Sequence, residues 1–161
     1  MRRFLMGFGL VLLVGLLAIQ LVPYGRDHSN PPVSGEPAWD SDATRTAAVG
    51  ACFDCHSNET KWPLYSNVAP FSWVLQRHVD EGRAALNFSE WGSGEQEVDE
   101  IVESVREGEM PTWDYALLHP DARMSGTALD DFIAGLTATF GAGEGEGGGG
   151  EGDGGSHGDD D

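Results

Sequence analysis

The chain opens on an unbroken apolar run. From Phe4 to Val22, 19 residues carry no charge, and only Gln20 among them is strongly polar. As a helix rising ~1.5 Å per residue, this run nearly crosses a ~30 Å hydrocarbon core. Arg2 and Arg3 precede it, so the positive-inside rule keeps the N-terminus cytoplasmic and exports the rest of the chain. An uncleaved anchor and a cleaved signal peptide share this charged start and apolar centre. The length of the run, and the lack of a clear small-x-small site before Pro23, favour the anchor. Either way the remainder lies on the periplasmic or extracytoplasmic side, and an anchor makes the protein single-pass.

After this segment (1–26) the pattern changes three times. Residues 27–42 (DHSNPPVSGEPAWDSD) are rich in Pro, Ser, Asn and Asp and read as an extended linker. A flexible linker of these 16 residues has an r.m.s. reach of roughly 20–24 Å. Residues 43–140 carry helical periodicity and form the folded domain. Residues 141–161 are glycine and acid with no apolar residue beyond Ala142, too little to bury, so a disordered tail is expected.

Within 43–140 the expected fold class is all-α. Asp42 or Ser41 can cap a helix through Ala43–Ala51. Pro70 suits the first turn of a helix running to about Leu86, with Asn67 as a cap. Ser93-Gly-Glu-Gln96 is a capping-box pattern. Beyond it Val98, Ile101, Val102 and Val105 fall at i, i+3, i+4 and i+7, and Gly108 stops that helix. Ser125 can cap a last helix with a stripe of Leu129, Phe132, Ile133, Leu136 and Phe140. Loops are expected at 57–69 and 109–124. No stretch alternates with period two long enough to build a sheet.

Charge adds a constraint. The net charge is -18, divided as +3 over 1–26, -14 over 27–140 and -7 over 141–161, and Lys61 is the one lysine. Such a chain lacks the cationic surface that nucleic-acid phosphates require. It suits a partner with a basic docking patch, or a salt-rich environment that screens self-repulsion.

Both cysteines sit in Cys52-Phe53-Asp54-Cys55-His56. C-x-x-C-H in an exported chain reads as a c-type haem attachment site. Each thiol adds across one haem vinyl group, and the next residue, His56, can ligate the iron. The competing readings fit less well. A thioredoxin-like C-x-x-C needs a βαβ context, a bridge over two residues closes a very short loop, and zinc needs further close ligands. The second axial ligand has several candidates. Met110 stands before Pro111 on a loop after a helix, presented by a stiff backbone. His78, on a helix, is the main alternative, because imidazole is also a common axial ligand. His119 is a loop residue suited to a haem propionate or a backbone carbonyl, and Met124 suits the core. Trp39, Trp62, Trp73, Trp91 and Trp113 can enclose a porphyrin or fill the core. Arg83 can pair with a propionate, and Arg77 better with a nearby acid such as Asp80 or Glu81.

Together, Cys52–Thr60, Trp62–Ser66, Pro70–Trp73, His78–Arg83, Leu86–Trp91, Met110-Pro111, Tyr115 and His119–Ala122 resemble the bacterial haem-binding domain family of small exported c-type cytochromes. The resemblance covers about 45–138. It implies a cytochrome-c-like helical domain, one covalent haem c with its iron, His56 as the proximal ligand and Met110 at the distal position. The expected function is a membrane-tethered mono-haem cytochrome that carries single electrons. The alternatives are a haem peroxidase or ligand-sensing module, and a haem subunit of a larger membrane complex. The glycine-acid tail lies outside the family pattern.

Overall fold

A computed structural model describes residues 1–92 and 98–141. Among the described residues the chain is all-helical, and its sole bridge outside helices is an isolated one between Gly35 and Glu90. The helices are α1 (Arg2–Ile19), α2 (Asp42–Ala51), α3 (Phe53–His56), α4 (Phe71–Ala85), α5 (Asp99–Arg106), α6 (Trp113–Leu118) and α7 (Thr127–Phe140). Short 3-10 turns occupy Leu64–Asn67 and Pro120–Ala122.

α1 is long and apolar enough to cross a membrane, with a mean hydropathy of 1.9, and none of it is buried against the body. α2 starts where its cap predicts: Ser41 Oγ accepts the Thr44 N–H at 3.2 Å. α4 differs from expectation. Pro70 stands just before it, and Asn67 belongs to the preceding 3-10 turn, where its amide donates to Leu64 O. α7 begins after Gly126 without a side-chain cap, so Ser125 does not serve as one. The capping box at 93–96 and the tail beyond Gly141 lie outside the described residues.

The stripes read from the sequence form the core. Ile101 and Val105 of α5 meet Phe132 and Leu136 of α7, with Ala48 of α2 and Phe53 of α3 beside them. Phe88 closes this core, 1 % exposed, among the rings of Trp39, Phe53, Trp91 and Phe140. Burying such aromatic side chains supplies much of the driving force for so small a body. α3 and the first turn Leu64–Asn67 pack against α4 on the other side.

Residues 28–39 do not hang free. Ser34 and Gly35 donate backbone N–H groups to Ser89 O, and the Trp91 N–H donates to Gly35 O. His28 stacks on Trp62 at 4.7 Å between centroids. Glu36 accepts both Arg45 Nε and Nη2 at 2.7 Å, and Trp39 sits in the aromatic core. The physical reason is that this polar stretch brings backbone partners and two aromatic rings that the body can use. A strap replaces the expected flexible linker.

Candidate functional site

The two cysteines and His56 share one helical turn. Cys52 ends α2, and its carbonyl accepts the N–H groups of Cys55 and His56 at 3.2 and 2.9 Å. Both thiols are free. Burial pushes the thiols of Cys52 and Cys55 up to about 12. Redox-active cysteines need the opposite, a lowered thiol that ionises near neutrality. Among the described residues no group of three or more His, Cys, Asp and Glu side chains gathers as a zinc site would require.

His56 is held as a neutral ligand would be. Its Nδ1 lies 3.2 Å from Leu86 O, and a carbonyl only accepts, so Nδ1 carries the hydrogen. That leaves the Nε2 lone pair for a metal. Burial also pushes the imidazole pKa below its ordinary value, which favours the neutral form.

A buried polar network fixes the position of the motif. Ser57, Asn58, Asn87 and Ser89 are buried polar residues, and they bond to one another or to the nearby backbone. Ser57 Oγ donates to Phe53 O, Ser89 Oγ accepts the Asn58 N–H, and Asn87 Nδ2 donates to Asn58 Oδ1. The Phe88 N–H donates to His56 O at 2.8 Å. Thus the segment 57–60 is stitched to 86–89, and the exit of the motif is fixed. The sequence reading missed the role of these four residues. The available signal was a cluster of Ser and Asn flanking the motif inside a folded region, where unpaired polar groups are costly.

α4 backs the motif at one glycine. A Cβ on Gly82 would stand 2.6 Å from Cys55 O, so only glycine lets the two helices approach this closely. Next along α4, Arg83 donates to Ser57 O, Thr60 Oγ1 and Asn30 Oδ1. It therefore ties the motif to the strap. Arg77 pairs with Glu81 at 2.8 Å on the surface.

Met110 comes from the opposite side of the chain. α5 ends in a Schellman motif: Gly108 has φ +75°, its N–H donates to Val105 O, and the Glu109 N–H donates to Ser104 O. The Met110 N–H also reaches Ser104 O. This cap turns the loop so that Met110, Pro111 and Thr112 face the motif. α6 lies within the region expected as loop. From it, the Tyr115 hydroxyl donates to Asp54 Oδ2 at 2.8 Å, which joins this side to the motif. Burial holds the Tyr115 phenol pKa well above its usual range, so it remains a donor.

Between the two sides lie three adjoining clefts of about 270, 200 and 200 Å³, and Ala51, Cys52, Met110 and Pro111 line all three. The largest brings together Cys52, Cys55, His56, His78 and Met110. Its walls are mainly apolar, as a site for a flat ring requires. The donor set fits haem: two thiols beside one another, a neutral imidazole, and a thioether across the same space. His78 lines only the largest cleft, and its Nε2 lies 3.7 Å from Asp114 Oδ2. None of the five tryptophans lines these clefts; Trp39 and Trp91 serve the core instead. His119 Nδ1 donates to Tyr115 O at 3.0 Å, the carbonyl role expected for it. Met124 packs against the core and lines one of the smaller clefts.

A family model described as a haem-binding domain matches residues 14–138. The match begins well before the cysteine motif and takes in the whole strap. No curated protein and no solved structure matches the chain.

Proposed function

The chain belongs to the haem-binding domain family, and from that membership we propose that it is a membrane-tethered, single-haem c-type cytochrome that carries electrons one at a time. The observation that carries this reading is the shared cleft of Cys52, Cys55, His56 and Met110. When bound, haem supplies an iron that takes up and gives up one electron. Cys52 and Cys55 would hold it by thioethers, each S–H adding across one vinyl group. His56 would offer Nε2 to the iron, and the Leu86 carbonyl fixes the tautomer and ring. Met110 would offer its thioether as the second ligand. With both His56 and Met110 engaged, a bound iron would be saturated by side chains, which would suit electron transfer over turnover of a substrate.

In this reading 1–26 is the anchor, with Arg2 and Arg3 on the cytoplasmic side, and the helical body lies outside the cytoplasmic membrane. Residues 43–140 form the cytochrome-c-like haem domain. Its acidic surface docks on a basic patch of a redox partner, so association slows as salt rises. An association rate indifferent to salt contradicts that docking mode.

The visible spectrum of the purified holoprotein tests the ligand set. Ferric protein is expected to show a thioether-to-iron band that Met110→Ala abolishes. A band that survives in Met110→Ala removes Met110 from the iron. A high-spin ferric spectrum with ready uptake of carbon monoxide after reduction supports a haem enzyme or sensor instead.

A further inference from the structure

The end of α1 is fastened to the body rather than joined to it by a free tether. Gln20 and Ala69 form a reciprocal pair: Gln20 Nε2 donates to Ala69 O at 2.9 Å, and Gln20 Oε1 accepts the Ala69 N–H at 3.0 Å. Arg26 Nη2 donates to the same Oε1. The Tyr24 hydroxyl donates to Asp80 Oδ2 at 3.0 Å. Gly25, at φ +78°, is buried against Ser72, where a Cβ would collide with the Ser72 carbonyl. These contacts pin residues 20–26 to α4 and the loop before it.

The segment that contains Ala69 carries no charge of its own and exposes three apolar side chains beside Asn67. Residues 64–71 (LYSNVAPF) contain no charged side chain. Leu64 is 91 % exposed, Phe71 57 % and Val68 48 %. Single exposed apolar residues need no explanation, but three in one short segment beside a membrane-length apolar helix do. The 18 residues of α1 rise ~27 Å, close to a ~30 Å hydrocarbon core. A helix that fills the core sets Gln20 at its boundary, and the hydrogen-bonded Ala69 must then lie at that same level. Tyr24, a few residues along the chain, is a residue type enriched at membrane interfaces.

We propose that Leu64, Val68 and Phe71 seat in the lipid interface beside the end of α1, so that the domain rides at a fixed height against the bilayer. This rests on reading α1 as a membrane span. Lipid is the occupant because Ala69, held by Gln20, carries these side chains to the boundary, and the segment has no charge to desolvate there.

Photo-crosslinking of the full chain with its haem tests this, in vesicles of phosphatidylethanolamine and phosphatidylglycerol and in native membranes. Benzoylphenylalanine replaces Leu64, Val68 or Phe71, one at a time. Leu12 in α1 and the exposed Thr137 on α7 serve as reference positions. Lipid adducts at Leu12 and at all three sites, with only background at Thr137, are the expected result. Gln20→Ala should reduce the adducts at the three sites and spare those at Leu12. Adducts at Leu12 with none at the three sites overturn the seating and leave the tether standing. Crosslinks from the three sites to protein in native membranes overturn it in favour of a partner subunit. No adduct at Leu12 removes the tether, and the seating falls with it.

Discussion

The side of the cleft that carries Cys52, Cys55 and His56 is set in place by a buried polar network, whereas the side that carries Met110 rests on one helix cap. On the first side Ser57, Asn58, Asn87 and Ser89 are at most 5 % exposed, and Gly82 lets α4 press on Cys55. On the second, Met110 is 37 % exposed and its loop is held by Ser104 O, with Tyr115 reaching over to Asp54. The difference separates two jobs. On the proposed reading, haem attachment would need two thiols and an imidazole prearranged on one turn, which the chain's own hydrogen bonds provide. On the same reading, a distal ligand would need only to close on the group it meets, and a short loop would suffice.

The contrast is easiest to break at Gly82. Gly82→Val adds branches to a Cβ already 2.6 Å from Cys55 O, so α4 must move away. Overpacking of this kind costs on the order of 1–3 kcal/mol or more, read as a lower denaturation midpoint together with a lower haem yield. A variant as stable and as well loaded as the parent contradicts the role given to this contact. Met110→Ala should behave differently: the thioether band goes, while the far-ultraviolet circular dichroism of the helices stays. Loss of the helical signal in that variant would mean that the second side also holds the fold. The smallest effect is expected at the strap. Arg45, which donates twice to Glu36, holds the Glu36 carboxyl below the usual carboxylate range. A carboxylate with a depressed folded-state pKa adds stability above its unfolded value of ~4.3, and that share is lost as pH falls through the folded value. Arg45 is 41 % exposed and Glu36 24 %, so solvent screening keeps the gain to about 1 kcal/mol or less. Glu36→Gln should flatten that part of the acid limb, and an unchanged acid limb removes the pair from the stability of the strap.

How legible each feature is in the sequence depends on the kind of signal it leaves. The helical stripes at 98–105 and 129–140 are readable because period and burial coincide, and Gly108 because a helix stop leaves a glycine. The turn of Cys52-x-x-Cys55-His56 is readable because its spacing is chemical, independent of fold. The polar network is hidden, since Asn58 and Ser89 look like surface residues until partners 26 to 32 residues away supply their bonds. The strap is hidden for the same reason: a Pro-rich polar stretch resembles a linker, and only Ser89 O, Trp62 and Arg45 make it part of the body. α6 is six residues long, too short to show a period.

The central claim is that Cys52 and Cys55 hold one haem covalently. The most direct measurement is the intact mass of the full-length protein, made where c-type haem attachment operates, after unfolding and extraction with acidified solvent. Covalent attachment predicts a mass increased by one haem that survives this treatment, and its complete loss in the double variant Cys52→Ser, Cys55→Ser. A parent protein of bare polypeptide mass, with its haem released into the solvent, contradicts it.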